Sequence, residues 1–278
     1  LPQPGDTVEI TTPGEYIEQT YYGGCSANAA VTVATLGGRC GLAGVAGADF
    51  ITSGYRAYLE ALGIYVGDLE VHPDAICGHS FLFTQPNGDA ICLSQIGPSR
   101  EQVSLVDRVV SYTAANVVLI NYLFDEWSVR VARWGHESGA KVVVSGNLVA
   151  GSAAPSDLLA ETDILIATEH EALLLAKSLD APDPASLLRR HALSAILMTK
   201  GAAGTEILAD SSTTVPAVTP ATVVDTVGAG DSFAGAFSYS LSKGASYEDS
   251  VRLAGTVASF AIEAYGAQTS LPTIDDVR

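Results

Sequence analysis

From residue 117 onward the sequence alternates short apolar runs with longer amphipathic stretches, and this alternation constrains the fold more than any other feature. The apolar runs are five or six residues long and lie at 117–122, 141–145, 163–167 and 195–199. Helical patterns at 126–138 and 169–179 separate them, and two long helical patterns close the chain. Short apolar strands joined by helices are typical of parallel sheets, because crossover helices cover both faces. The pattern therefore predicts an α/β fold with a doubly wound, mostly parallel sheet.

The first third of the chain has a different pattern. It predicts a helix at roughly 26–37, a strand within 39–46 and a second helix at 53–62. Residues 79–94 then alternate in hydropathy around an Asn-Gly pair at 87–88, which is a strong signal for a two-residue β-hairpin turn.

A small β-sheet is expected to project from the α/β body. Residues 7–22 also alternate in hydropathy and are rich in Thr and Tyr, as strands often are. We expect a lid built from segments of about 7–22 and 65–94. No Pro/Gly/Ser-rich linker separates these segments from the rest, so residues 1–278 are predicted to form a single domain with a lid.

The charge balance excludes several classes of partner. The 278-residue chain carries a formal net charge of −17 and has only four lysines. Nucleic acids and anionic membranes bind clustered cations, so neither is expected as a partner. The apolar runs are too short to span a bilayer, and no basic stretch followed by an apolar one comes after Leu1 as a secretory signal would.

The cysteines predict a reducing environment, and the histidines disfavour a zinc site. The four cysteines form no C-x-x-C pair, and a chain of this size needs no disulfide. They are predicted to be reduced and buried, in a cytoplasmic protein. The five histidines show no H-x-x-x-H spacing, which disfavours a zinc site.

Two common nucleotide-binding signatures are absent from the sequence. There is no G-x-x-x-x-G-K-[ST] phosphate loop. Gly228, Ala229 and Gly230 begin like a G-x-G-x-x-G turn, but Phe233 stands where the third glycine belongs. A Rossmann dehydrogenase is therefore disfavoured.

The stretch DTVGAGDSFAGA at 225–236 fits an anion-binding helix start. Small side chains at 228–230 let an anion approach the free N–H groups of the first helical turn, where the helix dipole adds positive charge. Asp231 would lie beside that anion and could accept a proton from an attacking hydroxyl. The alternative is a tight strand-to-helix turn in which Asp231 is an ordinary first-turn acid.

Four segments together resemble the ribokinase-like (PfkB) carbohydrate kinase family. They are DTVGAGD at 225–231, GGCSANAAVTVATLGG at 23–38, TKGAAG at 199–204 and AGTVASFAIEAYGAQTSLP at 254–272. The resemblance runs from residue 1 to about 275 and implies a three-layer ribokinase-like fold with a lid. It also implies an ATP-dependent kinase that phosphorylates a hydroxyl of a small sugar or sugar-like molecule, and a homodimer paired through the lid.

The resemblance implies roles for the residues around the acceptor. Asp231 would be the catalytic base, and the N–H groups of Gly228, Ala229 and Gly230 would form the anion hole. The implied substrate-binding residues are Gly23, Gly24, Cys25, Asn28 and Asn121. Asn28 has a competing interpretation as a polar residue near a helix N-terminus that bonds to backbone.

The resemblance also implies ATP, Mg²⁺ and K⁺ as cofactors. The implied nucleotide-binding residues are Thr168, Thr199, Lys200, Gly201, Gly204 and Gly255. Glu171 would assist Mg²⁺ through water. The implied K⁺ loop contains Asp225, Val227, Ala261, Ala264, Gly266 and Ser270. Residues 199–204 alone are also compatible with a simple strand-ending turn.

The sequence departs from the family pattern at three places. Thr168 stands where the family usually has an asparagine that touches the phosphates, and Ser145 stands where an aspartate is frequent. The family also has a first strand, with a substrate-binding aspartate, about 20 residues upstream of Leu1; residues 1–8 look like the sequence just after it. These departures leave a degenerate kinase, which binds without turnover, as one alternative. A nucleoside kinase of the same family is another, and a vitamin kinase of the wider fold is disfavoured by the paired glycines and the lid.

Overall fold

The computed structural model describes residues 20–84, 90–99, 115–121, 124–146, 148–151 and 155–278. Its strands are β1 (Gly41–Gly47), β2 (Tyr65–His72), β3 (His79–Thr84), β4 (Ala90–Gln95), β5 (Val117–Asn121), β6 (Lys141–Ser145), β7 (Ile164–Thr168), β8 (Ala195–Thr199), β9 (Thr205–Leu208) and β10 (Ser212–Val215). Its α-helices are α1 (Cys25–Thr35), α2 (Asp49–Thr52), α3 (Tyr55–Ala61), α4 (Glu126–Glu137), α5 (Leu148–Gly151), α6 (Pro155–Ala160), α7 (Glu169–Ser178), α8 (Pro184–His191), α9 (Ala229–Ser242) and α10 (Tyr247–Ala261). A short 3₁₀ helix spans Gly201–Ala203.

A six-stranded sheet forms the centre of the molecule. Its strand order is β10-β9-β8-β7-β6-β5, with β5 to β8 parallel and β9 and β10 antiparallel. The four strands predicted at 117–122, 141–145, 163–167 and 195–199 are the four parallel strands, within one residue at each end. The prediction of a mostly parallel α/β sheet is therefore confirmed.

Successive residues of each central strand enter different hydrophobic cores, which is why these runs are apolar throughout. Val142 and Val144 pack into the core beneath α4, α6, α7 and α8. Val143 packs into the opposite core beneath α9 and α10. Side chains alternate across a strand, so a sheet covered on both faces needs apolar residues at every position. Burying each such side chain contributes about 1.5–3 kcal/mol to folding.

The first third of the chain forms its own packing unit beside α9. β1 and β2 pair in parallel as a separate two-stranded sheet, and a third core joins them to α1 and α3. Helix α1 also packs along α9, where a Cβ on Gly235 would overlap the backbone of Ala29. The predicted helices and strand of this region are present, and β2 is an additional strand within the segment expected to belong to the lid.

The hairpin predicted at 79–94 is present as the antiparallel pair β3 and β4, from His79 opposite Gln95 to Thr84 opposite Ala90. The turn at 87–88 and most of the 7–22 segment lie outside the described residues. Phe81 and Leu93 are 65% and 54% exposed. All four cysteines are free, but the prediction that they are buried was wrong: Cys25, Cys40 and Cys77 are only partly buried. Cys92 is exposed on β4, because no second layer covers the hairpin in the described part of a single chain.

Two features were not foreseen from the pattern. β9 and β10 form a hairpin of four-residue strands that extends the main sheet beyond β8, and α8 packs against α6 and α7. The strands of the hairpin are too short for a clear alternation signal. Among the described helices, none has both the length and the apolar composition needed to cross a membrane.

Candidate active site

Four residues that the sequence analysis singled out, as site residues or as differences from the family pattern, lie along one edge of the sheet at the carboxyl ends of the parallel strands. Asn121, Ser145, Thr168 and Thr199 are the last residues of β5, β6, β7 and β8. Asn121 is in register with Ser145, and Thr168 is in register with Thr199. Ligands of open α/β sheets bind outside this edge, because the loops that follow the strands converge there.

Asp231 enters the same edge from the first turn of α9. Gly228 is the N-cap of this helix and has a φ of +82°, and a Cβ there would overlap Ala267. The amide of Ser232 donates to the carbonyl of Gly228 at 2.8 Å. In the described part of the chain, no backbone acceptor meets the N–H groups of Gly230 and Asp231. A Cβ at Gly230 would meet nothing within 4 Å, so the space in front of these N–H groups is open.

Three side chains surround the Asp231 carboxylate. Asn28 Nδ2 donates to Oδ2 at 2.8 Å, and Asn121 Nδ2 approaches Oδ1 at 3.4 Å. The Cys25 thiol lies beside this carboxylate and favours its charged form. Burial raises the pKa of Asp231, and the donors Asn28, Cys25 and Asn121 oppose that shift. Burial and the adjacent negative charge of Asp231 also raise the pKa of the Cys25 thiol, which keeps it protonated as a donor.

A second layer of hydrogen bonds holds Asn28. Gln268 Nε2 donates to Asn28 Oδ1 and to the Tyr55 hydroxyl, both at 2.8 Å. The Tyr55 hydroxyl donates to the carbonyl of Gly23 at 2.9 Å. Neither Gln268 nor Tyr55 was assigned a role from the sequence. Gln268 does lie within the GAQ segment at 266–268, and that was the available signal.

The paired glycines form the entrance to α1. Gly24 is the N-cap with a φ of +98°, and the amide of Asn28 donates to its carbonyl at 2.8 Å. A Cβ at Gly23 or at Gly24 would meet no atom within 4 Å. The pair therefore leaves open space beside Cys25, Asn28 and Asp231. The predicted acceptor residues are brought together, with Asn121 completing the set from β5.

The TKGAAG segment forms a tight turn between β8 and β9. Gly201 and Gly204 both have positive φ, and a Cβ at Gly204 would overlap the carbonyl of Val215. Lys200 Nζ lies 2.8 Å from Glu169 Oε1 and 2.8 Å from Glu206 Oε2. These two carboxylates raise the pKa of Lys200. Gly255 lies on α10, where a Cβ would meet nothing within 4 Å.

The threonine at 168, where the family usually has an asparagine, has a structural explanation. Thr168 is the N-cap of α7; its hydroxyl accepts from the Glu171 amide at 3.2 Å, and Glu171 Oε2 accepts from the Thr168 amide at 2.8 Å. This reciprocal pair is a capping box, which threonine forms well. The same bond fixes one oxygen of Glu171 and leaves the carboxylate at the carboxyl edge of the sheet.

The segments predicted to form a cation loop meet around a buried carboxylate. Asp225 is 4% exposed and accepts from the amides of Val227 at 3.1 Å and Gly266 at 3.3 Å. The amides of Val224 and Asp225 donate to the carbonyl of Ile262, so residues 261–266 lie against this segment. The Ser270 hydroxyl donates to the carbonyl of Phe260 at 2.7 Å, which leaves its oxygen lone pairs available.

Comparison with known proteins decides the family. The pfkB family carbohydrate kinase model matches residues 15–274. The chain belongs to the pfkB family of carbohydrate kinases. This kinase is therefore a phosphotransferase, as the resemblance predicted, and the fold prediction is confirmed as well.

The relatives of this kinase include proteins named as nucleoside kinases and proteins named as ribokinases. It is 28% identical to a nucleoside kinase of Methanocaldococcus jannaschii over 100% of this chain and 89% of that protein. It is 27% identical to a ribokinase of Bacillus subtilis over 99% of this chain and 91% of that protein. The crystal structure of the M. jannaschii nucleoside kinase superposes with a TM-score of 0.83 and 27% identity, covering 97% of this chain and 90% of that one.

Proposed function

We propose that this kinase transfers the γ-phosphoryl group of ATP to a hydroxyl of a small neutral sugar or nucleoside, with Asp231 as the general base. One observation carries the proposal. The Asp231 carboxylate is held by Asn28 and Asn121 at the start of α9, beside amide N–H groups that have no described backbone acceptor. A base and an anion-binding helix start at one point are what phosphoryl transfer to an alcohol requires.

The geometry supports a direct proton path. A substrate hydroxyl that lies in the open space beside Gly23 and Gly24 reaches the Asp231 carboxylate, which accepts its proton as the oxygen attacks phosphorus. The pKa of Asp231 is raised by burial, and a base works best when its pKa is nearer the working pH. Of the anion hole predicted at 228–230, the Ala229 amide donates to the carbonyl of Thr226 at 3.4 Å, so the amides of Gly230 and Asp231 are proposed to stabilise the charge on the transferring phosphoryl oxygens.

The acceptor is proposed to be uncharged. The side chains that meet Asp231 are the Cys25 thiol and the amides of Asn28 and Asn121, and none of them is cationic. An acceptor with its own carboxylate or phosphate would lie beside Asp231 without a compensating positive charge from these residues. A nucleoside is the second candidate, because the M. jannaschii relative is a nucleoside kinase matched over the full length of this chain.

The nucleotide is proposed to bind at the β7–β8 end of the edge. Thr168, Thr199, Lys200, Gly201 and Gly204 lie there together, and the open face of Gly255 offers space on α10. The acceptor and the nucleotide would then meet along the edge, with Asp231 on the acceptor side. Exclusion of water by the lid would protect the phosphoryl group from hydrolysis.

The residues present fit both proposed metal ions. Asp225 is a buried carboxylate with no described cationic partner, and oxygen atoms of Ser270 and of nearby carbonyls suit a hard cation such as K⁺. Glu171 has one oxygen outside its capping bond, and Mg²⁺ in kinases is often held through water and substrate phosphates. Mg²⁺ supplies neutralisation of phosphate charge during transfer.

A homodimer through the lid is also proposed. Phe81 and Leu93 are exposed on the two-stranded sheet β3–β4, whose edges have no described partner strand in a single chain. Two-stranded sheets are marginal alone, so a second copy of the sheet is the natural cover. Size-exclusion chromatography with light scattering tests this, and a monomer at micromolar concentration would contradict it.

The test of the function measures ADP release with Mg²⁺, K⁺ and ATP across pentoses, hexoses, keto-acids and nucleosides. We expect one neutral compound to stimulate release. Asp231→Asn should lower kcat by about 10²–10⁴ while leaving ATP affinity nearly unchanged, because a positioned base contributes that much to the rate. A fully active Asp231→Asn enzyme would remove Asp231 as the base. ATP binding with no release across the panel would favour a binding protein.

A further inference from the structure

We propose that Gln268 is a positioning residue that fixes the amide orientation of Asn28 and, through it, the hydrogen bonding of Asp231. This proposal rests on the proposed role of Asp231 as the base. Gln268 lies in the segment after α10, and Asn28 and Asp231 lie on α1 and α9. The three side chains therefore join parts of the chain that are far apart in sequence.

The donor and acceptor roles along this series of hydrogen bonds are defined at both ends. The Tyr55 hydroxyl donates its hydrogen to the carbonyl of Gly23, so its oxygen acts as acceptor toward Gln268. Gln268 Nε2 has two hydrogens, and they go to Tyr55 and to Asn28 Oδ1. Asn28 then presents its own NH₂ group to Asp231 at 2.8 Å.

An asparagine amide can present either its carbonyl or its NH₂ group to a neighbour, because the two have nearly the same shape. Asn28 is 4% exposed, so water does not decide between them. In the opposite orientation its carbonyl would face the Asp231 carboxylate, and its NH₂ would face the NH₂ of Gln268. Both contacts would be repulsive, so the NH₂ group of Gln268 and the Asp231 carboxylate together hold Asn28 in the orientation in which it donates to the base.

Tyr55 holds Gln268 in this position. Its ring stacks on Tyr22 with centroids 4.3 Å apart and an interplanar angle of 7°, and it packs edge-on against Phe50. The Gln268 Oε1 atom is buried and has no partner among the described residues. With Oε1 unpaired, every described side-chain hydrogen bond of Gln268 is a donor bond from Nε2. The two acceptors of Nε2 account for the side chain's orientation.

The pKa of Asp231 makes the orientation of Asn28 measurable in a pH profile. Asp231 faces Cys25 and Asn28 on α1 and Asn121 on β5. Among these described neighbours, the Cys25 thiol is the one titratable group. Asp231 must be deprotonated to act as a base, so kcat/KM rises with pH through its pKa. Loss of a donor to the charged carboxylate raises that pKa. The acidic limb of the pH profile therefore moves to higher pH when Asn28 is misoriented.

The experiment compares Gln268→Glu and Gln268→Met with Tyr55→Phe in the full chain. Both Gln268 variants keep the length of the side chain but remove the NH₂ group. In Gln268→Glu the new carboxylate repels Asn28 Oδ1 and draws the Asn28 NH₂ group away from Asp231, so we expect the acidic limb of kcat/KM to shift upward by about one pH unit, the equivalent of one lost hydrogen bond to a charged group. Gln268→Met leaves Asn28 oriented by Asp231 alone, so its acidic limb should shift in the same direction by less. Tyr55→Phe removes one of the two acceptors of Gln268 Nε2 but leaves the Gln268–Asn28 bond, so its acidic limb should shift in the same direction by less.

The outcomes separate this proposal from the proposed function. If Asp231→Asn is inactive and both Gln268 variants keep the wild-type acidic limb, the positioning role is overturned and the base remains. If the Gln268 variants lose the same fraction of kcat at every pH together with a lower Tm, the residue is structural and the proposal fails. If Gln268→Glu does not fold, the smaller upward shift expected for Gln268→Met provides the test. A fully active Asp231→Asn enzyme overturns the proposed function instead.

Discussion

Asn28 Nδ2 lies 2.8 Å from Asp231 Oδ2, although 203 residues separate the two in sequence. The contact joins the helix that begins at the paired glycines to the helix that begins at the proposed anion-binding turn. These two helices pack along each other, and Gly235 lets α9 approach α1 closely. The packing of α1 on α9 therefore brings the proposed substrate-binding amide and the proposed base into one site.

The same edge of the sheet orders the rest of the site. Asn121 on β5 reaches Asp231, whereas Thr168 and Thr199 lie at the ends of β7 and β8. Adjacent strands are about 4.8 Å apart, so β5 and β8 are separated by roughly 14 Å. That separation suits an acceptor at one end and the phosphate chain of a nucleotide reaching toward it from the other.

Alanine substitutions at Gly228 and Gly230 should separate folding from anion binding. Gly228→Ala places a Cβ against Ala267 and needs a left-handed backbone, so Tm should fall and activity with it. Gly230→Ala meets no atom within 4 Å, so Tm should change little while kcat falls, because the methyl group occupies the approach to the amides. Thermal unfolding and steady-state kinetics measure both, and wild-type kcat in Gly230→Ala would argue against the anion hole.

The two glutamates around Lys200 should oppose nucleotide binding. Glu169→Gln removes a negative charge near the proposed phosphate site and releases Lys200, so the KM for ATP should fall about two- to fivefold. Lys200→Met should raise it. Glu206→Gln on β9 should lower the KM for ATP in the same direction, since it also frees Lys200, although Glu206 additionally accepts a hydrogen bond from Ser212. An unchanged KM for ATP in both Glu169→Gln and Lys200→Met would exclude Lys200 from the nucleotide site.

Asp163 should contribute stability that depends on pH. Burial raises its pKa, but the amide of Val142 and the side chains of Lys141 and His136 lower it more, so the net shift is below the ordinary 3.8. A carboxyl group with a lowered pKa in the folded state stabilises the fold above its unfolded pKa and loses that contribution as pH falls through the folded value. Asp163 is 15% exposed, and Asp163→Asn should cost about 1–3 kcal/mol at pH 7.

Denaturant unfolding from neutral pH down to about pH 2.5, below the ordinary carboxyl pKa, measures the Asp163 effect. The difference in free energy of unfolding between wild type and Asp163→Asn should shrink toward the acid end. Asp275→Asn is the control, since its ion pair with Arg278 is highly exposed and should be nearly neutral. A difference that stays constant over the whole pH range would contradict the assignment.

Activity should depend on the monovalent cation. Replacing K⁺ by tetramethylammonium at equal ionic strength should lower kcat, because the buried Asp225 directly precedes the proposed anion-binding turn and the loop at 261–266 packs against Asp225. Choline chloride serves as a second large cation that controls for a specific salt effect. Equal rates in all three salts would remove the cation site from the proposed function.

The strands of the main sheet could be predicted from the sequence because each signal is local. Val142, Val143 and Val144 form a run that is apolar at every position, and such a run fits a strand covered on both faces. The turn at 228–230 was likewise readable, because glycine at a positive φ and small residues before a helix leave a local signature. The family resemblance then pointed to Asp231, Asn28 and Asn121.

The short hairpin of β9 and β10 and the capping box of Thr168 show where local signals end. Four-residue strands carry too few positions for an alternation to be recognised, and Thr168 could be interpreted only as a missing asparagine until its bond with Glu171 was seen. Cys92 was expected to be buried on composition alone. Its exposure follows from the hairpin's having no covering layer within the described part of one chain.

The sequence by itself determined the alternating strands and helices and the glycine turn before α9, because propensity, hydropathy and glycine geometry are properties of short segments. The residues proposed to act at that turn came from the family resemblance. The tertiary structure alone decided that Gln268 donates to both Asn28 and Tyr55, and that Asn28 therefore presents its NH₂ group to Asp231. Hydrogen bonds between distant segments depend on how α1, α3, α9 and the segment after α10 pack. No local pattern specifies that packing.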